Sequence, residues 1–232
     1  MQSKTVTEVE DDILSVVERI TTACGHAGLG IKGYSKISYN KYRQLPEEIQ
    51  KQILAGLTDY ASLLETVNPA LPKIDYEIST LELAERKLNL RVPDDFKRVI
   101  KSGDIVEIYD LERNTQLYRN SEFLIYSSYD LLTVCAYSWP ELFERSPKFE
   151  KLVLDRSAEV ARTSVATVPW NIEDHYLKEK LDARNNVFKM KMGYVSPVYS
   201  SMSGDRRAWA STLRVQPMGS SWKDCDNVIA FS

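Results

Sequence analysis

The chain has 232 residues, with 30 Lys+Arg against 33 Asp+Glu and a formal net charge of −3, so it lacks the basic surplus by which proteins grip nucleic acids. Apolar residues make up 43% and charged residues 27%, enough to bury a core and too apolar for a wholly disordered chain. No apolar run approaches the roughly 20 residues of a membrane-spanning helix, and the opening MQSKTVTEVEDD lacks the basic and apolar regions of a secretory signal.

Residues 1–103 read as helical. Thr7 and Glu10 have the spacing of a capping box, and Asp11 and Asp12 suit the positive end of a helix dipole. Ile13, Leu14, Val17 and Ile20 then recur at helical spacing until Gly25. Gly28, Gly30 and Gly33 mark a loose segment. A second helix starts at Pro46, carries Ile49, Ile53, Leu57, Tyr60, Leu63 and Leu64, and is ended by Pro69 and Pro72. A third covers 80–90, and Pro93 opens a short one that Gly103 closes.

The texture changes at Asp104. Residues 105–109 form a β-rich run bounded by the turn Glu112-Arg113-Asn114, and the strand signal continues at 117–118 and 123–126. Helical pieces are predicted at 129–135, 140–145, 149–154, 157–161 and 172–183. Strands return at 187–199, 208–215 and 228–231, with turns at Ser203-Gly204-Asp205 and Gly219-Ser220-Ser221. This is an α+β order, with residues 104–232 as one domain after an N-terminal helical region.

The residues of that second part resemble the PAS family. Val106-Glu107-Ile108-Tyr109-Asp110 is similar to its first strand, and Ala136-Tyr137-Ser138-Trp139-Pro140-Glu141-Leu142 to its helical G-Y-S-x-E-E-L segment, with Ala136 in place of glycine. Glu173-Asp174-His175 resembles the start of its long connecting helix. Ser203-Gly204-Asp205-Arg206-Arg207-Ala208-Trp209 is similar to its k-D-G-s-x-x-W hairpin, with Gly and Asp exchanged. The asparagine usual after the second strand is Asn120, or its place is taken by Ser127. The resemblance covers about half the chain. It implies a five-stranded antiparallel sheet with short helices on one face and a sensory or protein-interaction module that can hold a small ligand or cofactor. The N-terminal helices are then a dimerisation or signalling element.

The candidate pocket residues are the aromatics Tyr137, Trp139, Phe143, Trp170, Tyr194 and Trp209, with His175. Pockets are apolar with a few polar groups, but the same aromatics also suit a filled core, which is the plainer reading. On the connecting helix implied by the resemblance, His175 is a candidate axial ligand for haem iron. A surface histidine at a helix start is the preferred alternative, and neither metal nor haem is expected as the main cofactor. With only two histidines, His26 and His175, a Cys/His-rich zinc site is excluded.

Cys24, Cys135 and Cys225 are odd in number and far apart, which predicts a reducing, cytoplasmic setting and no disulfide framework. Cys135 reads as a small buried core residue rather than a reactive thiol. Gly28, Gly30 and Gly33 match G-x-G-x-x-G, but a helical stretch precedes them where a dinucleotide site needs a strand. A flexible loop is the better reading. The clusters Asp205-Arg206-Arg207 and Lys97-Arg98 read as solvated turns, and Asp11-Asp12 and Asp94-Asp95 as residues at helix starts.

No catalytic motif is visible, so three functions rank in order. The first is a cytoplasmic sensory module that binds a small ligand or partner and passes the change through the N-terminal helices. The second is a ligand-free interaction or dimerisation scaffold, and an enzyme comes last. Apolar stripes on the first two helices favour a homodimer. An output domain would need residues beyond Ser232, so the chain either belongs to a longer regulator or acts through a partner.

Overall fold

The computed structural model describes residues 6–217 except 114, 172 and 182–185. In chain order the elements are α1 (Val6–His26), α2 (Lys36–Gln44), α3 (Glu47–Thr66), α4 (Lys73–Leu88), β1 (Leu90–Arg91), α5 (Asp94–Val99), β2 (Ile105–Asp110) and β3 (Gln116–Arg119). Then follow α6 (Glu122–Tyr126), α7 (Leu131–Ala136), α8 (Trp139–Leu142), β4 (Phe143–Glu144), α9 (Pro147–Thr163), β5 (Val168–Pro169), β6 (His175–Glu179), β7 (Val187–Ser200) and β8 (Arg206–Pro217). The fold is α+β around a curled antiparallel sheet.

The sheet runs β3-β2-β8-β7-β6-β4, with β1 and β5 pairing further along β7. Every pairing is antiparallel. At 14 residues, β7 is long enough to serve four partners. Its register with β8 shifts between Met192 and Val195. Gly193 sits in that bulge, where an added Cβ would lie 2.5 Å from Thr212 Oγ1. Only glycine fits so close an approach, and a bulge bends the strand that carries it. β7 and β8 are joined by a turn in which Gly204 takes φ +78.

Side chains alternate across a strand. Glu107 and Tyr109 of β2, Trp209, Ser211 and Leu213 of β8, and Met190 and Met192 of β7 share the face that α6–α9 cover. Val106, Ile108, Ala208 and Ala210 point the other way and are also buried. Both faces of the sheet's centre are therefore covered.

The helices before β2 do not leave their apolar stripes open. α1 packs along α3, and Ile13, Val17 and Ile20 of one and Leu57, Ala61 and Leu64 of the other are buried. Ile49 stays exposed. The stripes that favoured a homodimer are thus satisfied within one chain, and that argument for self-association lapses.

Buried contacts cross from the first hundred residues to the rest. Cys24, Tyr42, Leu64 and Phe96 belong to the same contiguous core as Ile108, Leu132 and Trp209. Polar contacts cross as well. Asn120 Nδ2 donates to Glu77 Oε2 at 2.6 Å and to the Asp104 carbonyl at 2.9 Å, while its Oδ1 accepts from Val106 N at 3.1 Å. Tyr60 and Ser121 share a hydrogen bond of 3.0 Å, and Lys73 pairs with Glu122. Glu77 Oε1 is buried without a partner. Burial is the main cause that lifts the Glu77 carboxyl to about 7, aided by Glu122 and opposed by the Asn120 hydrogen bond.

Several expectations need correction. The described residues of 172–183 do not form a helix. Among the described residues of that span, His175–Glu179 is strand β6, with His175, Leu177 and Glu179 buried at a period of two. Pairing with β7 overrides the local helical signal. The long helix is α9, which fuses the pieces expected at 149–154 and 157–161. The aromatic run 123–126 is helix α6, because Asn120 and Ser121 turn the chain after β3. Helix α4 begins at Lys73, well before residue 80, and α2 was not foreseen. The sheet has more than five strands. The strand at 228–231, Cys225 and the side chains of Thr7 and Glu10 lie outside the described residues.

The glycine segment is not a free loop. The carbonyls of Lys32 and Gly33 accept from Leu131 N at 2.8 Å and Leu132 N at 3.1 Å. They satisfy two donors that the start of α7 would otherwise leave open. Arg206 is likewise more than a solvated turn residue, since its guanidinium donates to the Arg162 and Ser164 carbonyls at the end of α9.

Candidate functional site

A cavity of about 330 Å³ lies between the covered face of the sheet and helices α6–α9, within the usual range for small-molecule sites. The sheet supplies Glu107, Tyr109, Gln116, Arg119, Trp209, Ser211 and Leu213 with Met190 and Met192. The helices and their connections supply Phe123, Val134, Tyr137, Trp139, Arg145 and Val153. The short helix α8 is set by the Ser138/Glu141 capping box, in which Ser138 N donates to Glu141 Oε2 at 2.7 Å. That box fixes Trp139 at the cavity wall.

One side of the cavity is a satisfied polar network. Arg119 Nε donates to Glu107 Oε1 at 2.6 Å, and its Nη2 pairs with the same carboxylate. Gln116 Nε2 donates to Glu107 Oε1 at 3.3 Å and to the Tyr109 hydroxyl at 3.1 Å. The Arg119 guanidinium lies 4.3 Å from the Phe123 ring centre and 4.9 Å from that of Trp139, a cation–π setting. Burial opposes the Arg119 charge, but Glu107 and Tyr109 outweigh it and hold the guanidinium above its ordinary range. Burial, then Glu107, pushes the Tyr109 hydroxyl up to about 12. Its ring stacks on Trp209 with centroids 4.6 Å apart and planes 12° apart.

The other side is not satisfied. Arg145 Nε is buried with no hydrogen-bond partner. Its guanidinium lies 5.7 Å from the Trp139 ring centre, and no carboxylate among the described residues lies within ion-pair distance of it. Burial pulls its pKa below the ordinary range, against the opposing pull of Glu107. Ser211 Oγ, on the floor of the sheet, is also buried without a partner.

Of the aromatic candidates, Tyr137, Trp139 and Trp209 line this cavity. Phe143 packs behind it, 4.4 Å from Trp139 between ring centres. Trp170 is fully buried beside Trp209 at 6.2 Å. Tyr194 is half-buried elsewhere on β7, with its backbone N–H donating to Thr212 Oγ1 at 3.0 Å. These three are packing residues rather than lining ones.

His175 is neither at a helix start nor on the surface. Its ring stacks on Phe149 with centroids 3.9 Å apart, and both ring nitrogens are buried without partners. Burial, then the nearby Arg145 charge, pushes it down to about 3, so it is neutral at physiological pH. A flat stack on Phe149, outside the lining of the cavity, does not present a nitrogen to a haem iron. Among the described residues no cluster of three or more His, Cys, Asp or Glu could hold a metal ion. Burial pushes the Cys135 thiol up to about 12, which leaves little thiolate to react.

Sequence reasoning missed Glu107, Arg119 and Arg145. One signal was present: Glu107 is a lone charge inside the β-rich run Ile105-Val106-Glu107-Ile108-Tyr109, and a buried charge requires a partner. Among the described residues no helix is long and apolar enough to cross a membrane. Comparison with protein-family models, with curated proteins and with solved structures found no match to this chain.

Proposed function

We propose that the chain is a small-ligand-binding regulatory module of the PAS kind. The observation that carries this reading is the cavity itself, which keeps Arg145 Nε and Ser211 Oγ buried and unpartnered. Buried polar groups are nearly always hydrogen-bonded, and these two, unlike the unpartnered atoms of Glu77 and His175, border open space that a ligand can fill. Further support comes from the run β3-β2-β8-β7-β6, with α6–α9 on one face, and from Asn120, which directly follows β3. A route toward the N-terminal helices runs through Ser38 of α2, whose hydroxyl donates to Asp130 Oδ2 at 3.1 Å at the N-cap of α7.

Native mass spectrometry on the full chain, purified without denaturation, tests the reading. The expected result is a stoichiometric small-molecule adduct that is lost in Ser211→Leu, which fills the floor of the cavity. An adduct-free chain whose melting temperature no compound of a metabolite library raises would overturn it.

A further inference from the structure

The cavity holds two guanidinium groups but supplies a close counter-charge to only one. Arg119 takes both the Glu107 carboxylate and the Tyr109 hydroxyl. Gln116 donates to the same Glu107 oxygen, Oε1, and Glu107 forms its ion pair with Arg119 rather than with Arg145. Glu150, in the first turn of α9, also lines the cavity. It makes no ion pair with Arg145, and Arg145 Nε keeps no acceptor.

A buried guanidinium N–H without an acceptor is costly, and the planar fork of the half-buried Arg145 matches a carboxylate in two parallel hydrogen bonds. The remaining walls are of a different nature. Met190, Met192 and Leu213 offer an apolar, adaptable floor, and Trp139 presents an aromatic surface beside Arg145.

We infer that the ligand is a small monocarboxylic acid with an aromatic body, its carboxylate on Arg145 and its body over the methionine floor. Ser211 provides a second, neutral hydrogen bond. The inference rests on the ligand-binding reading above and narrows it to one chemical class.

The test is isothermal titration of the full chain, freed of any co-purified molecule by dialysis, with benzoate and 2-naphthoate, each against its neutral amide. A charge-assisted pair should make the acid bind about tenfold or more tighter than the amide. Arg145→Gln should abolish the difference while leaving the amide's affinity unchanged. The acid–amide comparison in the unaltered protein needs no variant, so it stands even if Arg145→Gln fails to fold. An amide that binds as well as its acid overturns the inference. So does the absence of binding by either acid at millimolar concentration. Native mass spectrometry separates the two levels: a bound neutral or cationic molecule defeats the carboxylate and leaves the ligand site standing. A chain with no adduct, no acid binding and no library hit defeats both.

Discussion

Glu77→Gln is the sharpest perturbation of this fold. The carboxyl is buried on α4 and accepts from Asn120, while its second oxygen has no partner. Lifting it from the ordinary 4.5 to about 7 corresponds to roughly 3 kcal/mol against the ionised form. Between pH 4.5 and about 7 the folded chain holds a proton at Glu77 that the unfolded chain has released. The stability contributed at this site is therefore full at the acid end and is lost as pH rises through 7. Glutamine keeps an acceptor for Asn120 and never ionises. Urea unfolding of both proteins from pH 4.5 to 8.5 should show near-equal stability at the acid end. At the alkaline end the variant should lead by about 2–3 kcal/mol. A difference that stays constant across this range refutes the argument, because only a titrating Glu77 makes it change with pH.

Other outcomes follow from the same structure. His175, pushed down to about 3, is neutral when folded and charged when unfolded below pH 6.5, so stability falls on acidification. The slope at this site should be about 1.4 kcal/mol per pH unit, and His175→Phe should remove it in acid titrations followed by circular dichroism. Glu107→Gln leaves Arg119 buried beside a neutral amide and should cost about 3–5 kcal/mol in urea unfolding. The double variant Glu107→Gln/Arg119→Met should recover part of that loss, and strict additivity would show that the two side chains are uncoupled. Gly193→Ala forces a Cβ to within 2.5 Å of Thr212 Oγ1 and should cost about 1–3 kcal/mol, read from the denaturant midpoint at unchanged slope.

The legible parts of the fold were those where one strong local period governs. Strand β2 could be read because its β-branched run is bounded by a turn, which Asp110 closes by accepting from Glu112 N and Arg113 N. Helix α3 could be read because proline and an apolar stripe agree. Strand β6 could not, because its five residues are held by partners in β7 rather than by their own propensity. The site divides in the same way. Trp139, Tyr137 and Trp209 are visible as large apolar residues beside recognisable turns. Glu107 and Arg119 meet only through the register of β2 with β3, which slips between Ile108 and Tyr109. A bulge of this kind leaves no mark in a sequence pattern. Arg145 stands in the short link between β4 and α9, where nothing local distinguishes it from a surface arginine.

The docking of residues 32 and 33 onto α7 has a mechanical consequence. α7 is only six residues long, too short to hold its place by its own hydrogen bonds. It is anchored by the Lys32 and Gly33 carbonyls at one end and by Asp130, which accepts from Thr133 N and from Ser38 Oγ. The same short helix and its C-cap present Val134 and Tyr137 to the cavity. The cavity wall and the stretch from residue 32 to Ser38 are thus tied together at one place, by the hydrogen bonds gathered at the N-terminus of α7. The seat of that wall is therefore built by a segment about a hundred residues earlier in the chain.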